Sequence, residues 1–270
     1  MIRLRVLGGF SLVLDRSDAP APALRPRVLA LLTLLVGHAS AGVSRDKLLA
    51  YLWPDSDSAH ARNSLKQALF SLRHAFDFQL LVNGLGFLRL DRSAVDVDLW
   101  RFESALAVGR DSVAVSLYGG PFLDGFYITG LAELERWVET RRQRLANQYE
   151  EALFGLAARA ERGGDRQSTV AWWRRLVDAE PLSAIPALGL MRALEAAGDP
   201  TGALDHGRKH SAMVESELDA PASDEVRALM RRLAFQGRAP KPLHQPRLED
   251  RNRPARYGSR AQPARMVSTT

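Results

Sequence analysis

Between Ala59 and Ala75 the chain carries Arg62, Asn63, Ser64, Lys66, Gln67, Ser71, Arg73 and His74, and no acidic side chain. Amides, hydroxyls and ammonium groups hydrogen-bond the edges of nucleic-acid bases, and guanidinium groups reach phosphates. Whether these residues act together depends on their spacing. Leu65, Leu69, Leu72 and Phe76 recur at intervals of four, three and four, so they share one face of a helix. At about 100° per residue, the face opposite them presents Asn63, Gln67, Phe70 and His74. Lys66 and Ser71 stand beside that row, and Arg62 and Arg73 lie nearer its flanks. A basic, polar outer face is most often simply solvated, so the neighbouring elements must decide.

Trp53-Pro54 closes a preceding helix, because proline disfavours helical geometry in the residue before it. Asp55, Ser56, Asp57 and Ser58 then offer N-caps to the polar helix. Ser44, with Lys47 at its third position, marks the start of the preceding helix, on which Arg45 and Lys47 are further phosphate candidates. Pro26 suits the first turn of a helix from Arg27 to about Val36, apolar on nearly every face and therefore buried. Residues 2–15 alternate at Ile2, Leu4 and Val6 and again at Phe10, Leu12 and Leu14, with Gly8-Gly9 as the turn of a short hairpin. Leu80–Val82, Asn83-Gly84 and Phe87–Leu90 predict a second hairpin with a tight primed turn, which puts Asn83 at its tip. Strands, three helices and a hairpin in this order make a winged helix-turn-helix. The hairpin is the wing.

A chain of 270 residues is long enough for two domains, and its 46% hydrophobic and 25% charged content is that of a globular protein. Zero cysteines excludes disulfides, zinc ribbons and thiol catalysis. The longest apolar run, around Val28–Val36, is too short to span a bilayer, and glycines interrupt the N-terminus too early for a signal peptide. The expectation is a cytoplasmic protein without membrane contact. Net charge is uneven: residues 1–95 hold 12 Lys/Arg against 7 Asp/Glu, residues 96–237 hold 17 against 22, and residues 238–270 hold 8 against 2. A basic first segment, an acidic second and a basic tail imply different partners for each.

Gly164-Asp165 recurs as Gly198-Asp199 and Leu156 as Leu190, a shift of 34 residues, which is the tetratricopeptide period of stacked helix pairs. Trp137, Tyr149, Trp172 and Trp173 read as packing residues of such pairs. Adjacent Trp172 and Trp173 cannot face the same way, so one is expected to be partly exposed. Asp96 and Asp98 read as a capped helix start rather than a metal pair, and Asp55 and Asp57 lack the glycine and distant glutamate of a calcium loop. No phosphate loop, dinucleotide motif, HExxH or nucleophile elbow is present, so neither an enzyme nor a metal or cofactor is expected. From residue 237 the composition turns to Pro, Arg and Gln with little apolar surface to bury, and disorder is expected there.

The phrase AHARNSLKQALFSLRHAF, with LWPD before it and NGLGFLRL after it, resembles the DNA-binding domain of the SARP family of bacterial transcriptional activators. Leu52-Trp53-Pro54, Ala61-Arg62 and Ser71-Leu72-Arg73 carry that match. Val95-Asp96-Val97-Asp98 with Phe102, the run Tyr118-Gly119-Gly120-Pro121-Phe122-Leu123, and Glu135-Arg136-Trp137 with Arg141, Arg144 and Leu145 resemble the bacterial transcriptional activator domain that follows in that family. The resemblance implies a mainly α protein: a winged helix-turn-helix DNA-binding domain at 1–94, an all-α tetratricopeptide-like activator domain at 95–236, and a basic disordered tail at 237–270. It implies binding of double-stranded DNA as a homodimer on promoter direct repeats, and recruitment of RNA polymerase holoenzyme. Arg62, Asn63, Ser64, Lys66, Gln67, Phe70, Ser71, Arg73, His74, Arg45, Lys47 and Asn83 are the expected DNA-contacting set. Family members often carry an ATPase or sensor module further on, and this chain resembles the small form. The rival expectation is a tetratricopeptide-type interaction scaffold or a regulatory subunit without sequence-specific DNA binding.

Overall fold

A computed structural model describes residues 2–14, 24–38, 41–76, 81–83 and 86–236. The expected tail lies outside the described residues. Strands β1 (Ile2–Arg5) and β2 (Ser11–Leu14) form the antiparallel hairpin that the alternation predicts, with Ile2 opposite Leu14 and Arg5 opposite Ser11. Gly8 and Gly9 turn it at φ +89° and +102°, where side chains other than glycine are strained.

Helix α1 (Pro26–Gly37) starts on its proline and buries Val28 and every residue from Ala30 to Val36. A two-residue strand β3 (Val43–Ser44) leads into α2 (Arg45–Leu52), whose N-cap Ser44 accepts the Lys47 N–H at 3.2 Å. Trp53 ends α2. Helix α3 (Ser58–Ala75) is capped by Asp57, which accepts the N–H groups of Ala59 and His60 at 3.0 and 2.9 Å. These hydrogen bonds, with that from the His60 ring, hold the Asp57 carboxyl below its usual range. Strands β4 (Leu81–Asn83) and β5 (Phe87–Leu90) pair antiparallel, and β3 adds to the other edge of β5. Asn83 pairs with Leu88, so it ends a strand and four residues separate the last paired positions. A two-residue turn centred on Asn83-Gly84 would need a shorter register, and Gly84 itself lies outside the described residues.

Strand β6 (Val95–Val97) then returns to the first sheet and pairs parallel with β1, giving the order β2-β1-β6. Among the described residues seven helices follow: α4 (Asp98–Ala107), α5 (Asp111–Leu117), α6 (Ala132–Arg162), α7 (Arg166–Ala179), α8 (Ala184–Ala196), α9 (Pro200–Leu218) and α10 (Asp224–Gln236). Each of α6 to α9 packs on its successor, as stacked pairs must to bury their apolar stripes. The 34-residue shift returns the same turn twice. Gly164 and Gly198 have φ of +72° and +88°, and Asp165 and Asp199 cap the next helix through Ser168 and Gly202. Among the described residues no helix is long and apolar enough to cross a membrane.

One hydrophobic core runs without a break from Ile2 to Leu176, and a second lies beneath α7 to α10. The first is continuous because the winged helix and the following helices share a seam. Asp98, the first residue of α4, does not cap its own helix as expected. Its carboxylate accepts the N–H groups of Val6, Leu7 and Leu99 at 3.0, 3.1 and 2.7 Å, tying the end of β1 to α4. Burial pushes this carboxyl above its usual range against those hydrogen bonds. Gly8 N–H donates to Pro121 O, and Leu123 N–H to Val6 O, so residues 119–123 lie along the hairpin. A Cβ on Gly8 would stand 2.6 Å from the Gly119 carbonyl oxygen. Trp100 donates its indole N–H to the Val36 carbonyl at 2.8 Å. Trp137 stacks on His38, with ring centroids 5.1 Å apart, and sits on Gly37, where a Cβ would come within 2.4 Å of its ring.

Candidate nucleic-acid interface

The outer face of α3 is built by the burial of its inner one. Ala61, Leu65, Ala68, Leu69 and Leu72 turn into the core, against α1 and α2. That leaves Arg62, Asn63, Lys66, Gln67, Phe70, Ser71, Arg73 and His74 exposed, with Ser64 half-buried at the edge. The structure therefore brings nine of the twelve expected residues onto one helix, eight of them open to solvent. Arg62, Lys66 and Arg73 have no ion-pair or hydrogen-bonding partner among the described residues. Phe70 is 69% exposed and stacks on His74, ring centroids 5.9 Å apart and nearly coplanar in orientation. A large apolar ring held in water by only one neighbour has surface to give to a partner.

The three residues outside α3 are placed differently. Arg45 is exposed at the start of α2. Lys47 is exposed too, but its ammonium donates to His38 Nε2 at 3.1 Å and stands 5.9 Å from the Tyr51 ring centre. A lysine ammonium has no acceptor, so the Nδ1 of His38 carries the proton donated to the Leu34 carbonyl at 2.8 Å. Burial and the nearby cations Lys47 and Arg141 keep His38 below its ordinary value of 6.5. Asn83 lies in β4, and its side chain lies outside the described residues.

Two exposed residues of the hairpin lie outside the expected set. Phe87 and Arg89 both point outward from β5, whose inward positions are Leu88 and Leu90. The alternation in FLRL is the signal that shows them. Among the described residues no group of His, Asp and Glu could hold a metal ion. Trp137, Tyr149, Trp172 and Trp173 pack as expected, Tyr149 buried and the tryptophans half-buried.

A helix-turn-helix with a β-hairpin beside it, joined to stacked helix pairs, defines a winged-helix regulator fold. The bacterial transcriptional activator domain matches residues 97–234, a little over half the chain. The chain belongs to that family, which is one of transcriptional activators and not of enzymes. Its fold is similar to that of Mycobacterium tuberculosis EmbR, solved in complex with a low-affinity phosphopeptide. The TM-score is 0.59 at 22% identity, over 87% of this chain and 65% of that one. This chain thus spans about two thirds of the length of EmbR as solved. No curated protein matches the sequence. A winged helix followed by an activator domain is the SARP arrangement that the sequence motifs resemble.

Proposed function

We propose that the chain activates transcription by binding promoter DNA in a sequence-specific way through α3. The observation that supports this is the row of exposed amides and of cations without an ion pair among the described residues on α3, with no carboxylate among them. In the major groove, Asn63, Lys66 and Gln67 would face base edges, and Phe70 a thymine methyl or a sugar. Arg62, Ser71, Arg73, His74 and Arg45 would hold phosphates on either side, and Phe87 and Arg89 would bring the wing to the neighbouring backbone. Lys47 gives one of its three ammonium N–H groups to His38 and would turn another to a phosphate. We assign this role to residues 1–94, and self-association on direct repeats and contact with RNA polymerase holoenzyme to residues 95–236. The continuous core explains how the two would act as one body.

The test is selection of bound sequences by the full chain from random duplexes, at two salt concentrations. A short direct repeat should be recovered, and its affinity should fall with salt at a slope of about −0.9 per neutralised phosphate. Binding that is equal for all sequences would overturn the proposal in favour of an interaction scaffold with a basic surface.

A further inference from the structure

Helices α6, α7 and α8 enclose a cavity of about 380 Å³ that has no part in the α3 face or the seam. The indole of Trp173 forms one wall. It lies directly on α8 at Gly189, where a Cβ would stand 2.2 Å from a ring carbon. Phe154 meets the same indole edge-on at 5.5 Å and holds it in place. Leu188 and Ala193 continue the apolar lining, and Ile185, 65% exposed, stands at the mouth. A volume of this size, apolar with a few polar groups, is typical of a small-molecule site.

The polar groups give the ligand its charge. Arg166 and Arg192 line the cavity, and their guanidinium groups have neither an ion pair nor a hydrogen bond among the described residues. Glu161 is the one carboxylate in the lining. The Thr169 hydroxyl is already donated to the Asp165 carbonyl at 2.7 Å. Two guanidinium groups against one carboxylate repel a cation. A wholly polar anion would leave the indole, Leu188 and Ile185 in water, and a neutral apolar body would leave both guanidinium groups unanswered.

We propose that this cavity binds a small amphipathic anion, its apolar body against Trp173 and its anionic head between Arg166 and Arg192. The site stands on its own geometry and does not depend on how α3 is used. The test uses the full chain with 8-anilinonaphthalene-1-sulfonate, an aromatic body carrying one anionic head, followed by its dye fluorescence. Dye emission should rise on binding, and octanoate should displace the dye where octylammonium does not. Replacing Arg166→Ala and Arg192→Ala together should weaken dye binding by about tenfold or more with unchanged circular dichroism. Equal dye affinity in that variant, or equal displacement by octylammonium, would overturn the proposal, as would absence of binding at millimolar dye. Should the double variant not fold, Ile185→Asp at the exposed mouth gives the same reading: weakened dye binding supports the site, and unchanged binding overturns it.

Discussion

Helix α3 and the helices from α6 to α10 differ in how their surface charges are mixed. Along the latter, carboxylates three residues away answer several of the arginines, Glu133 for Arg136, Glu139 for Arg142, Asp205 for Arg208 and Asp224 for Arg227, while, among the described residues, Arg166 and Arg192 stay unanswered at their cavity. Arg232 of α10 is held by Glu195 of α8 at 2.6 Å. On α3, Arg62, Lys66 and Arg73 have no such partner among the described residues, and Asp57 is spent on the cap and on His60. Exposed pairs at this spacing contribute little to stability. Their effect is to cancel the field that the arginines would otherwise project. The contrast teaches that a helix face with several cations and no carboxylate, unlike the mixed faces of α6 to α10, projects a positive field that suits an anionic partner.

The comparison is broken most severely from within. Leu65 and Lys66 are adjacent on α3, one buried and one exposed. Leu65→Ala should lower unfolding free energy by about 2–5 kcal/mol, measured by urea denaturation. Lys66→Ala should change it by less than about 0.5 kcal/mol while weakening DNA binding. Gly37→Ala forces a methyl into the Trp137 ring and should cost about 1–3 kcal/mol. Its outcome tells whether the seam tolerates a shifted indole. Gln67→Ala should weaken specific binding by about 1–3 kcal/mol, read by titration of the selected duplex, with thermal stability unchanged. Arg227→Ala on the self-neutralised surface should move stability by less than about 1 kcal/mol and leave DNA binding as it was.

The smallest expected effect concerns pH and the seam. Because burial lowers the His38 pKa in the fold below 6.5, the unfolded chain binds the proton more readily. Stability should therefore fall as pH drops below 6.5 towards the folded value, and be fully present above 6.5. Half-buried His206, lowered by desolvation and by His210 and Lys209, adds in the same direction. Replacing His38→Gln should flatten part of this slope in denaturation midpoints taken across mildly acid pH.

What the sequence shows most clearly is what nearby residues decide. The Ser44 cap, the end of α2 at Trp53-Pro54, the buried α1 and the leucine face of α3 all follow from caps, proline sterics and period. The Gly-Asp turns 34 residues apart are legible for the same reason. The seam is not. The pairing of β6 with β1 joins residues more than 90 apart, and no local period announces it. The use of Asp98 shows the same limit: its place at a helix start suggests a cap, yet the amides it holds most usefully belong to Val6 and Leu7. Asn83-Gly84 marks a hairpin, but the pairing of β4 with β5, which sets Asn83 opposite Leu88, fixes its register. On the α3 face the residue types and their exposure could be read in advance. That Lys47 is engaged by His38 could not, because it depends on how α1 and α2 meet.

The most direct test of the α3 face is the base preference of the full chain with Gln67→Ala, measured position by position across the selected duplex beside the unsubstituted chain. The account predicts relaxed preference at one position in each half-site, with the others unchanged and the melting temperature unaltered. A uniform loss at every position, or no change at any, would contradict it and remove α3 as the element that reads the sequence.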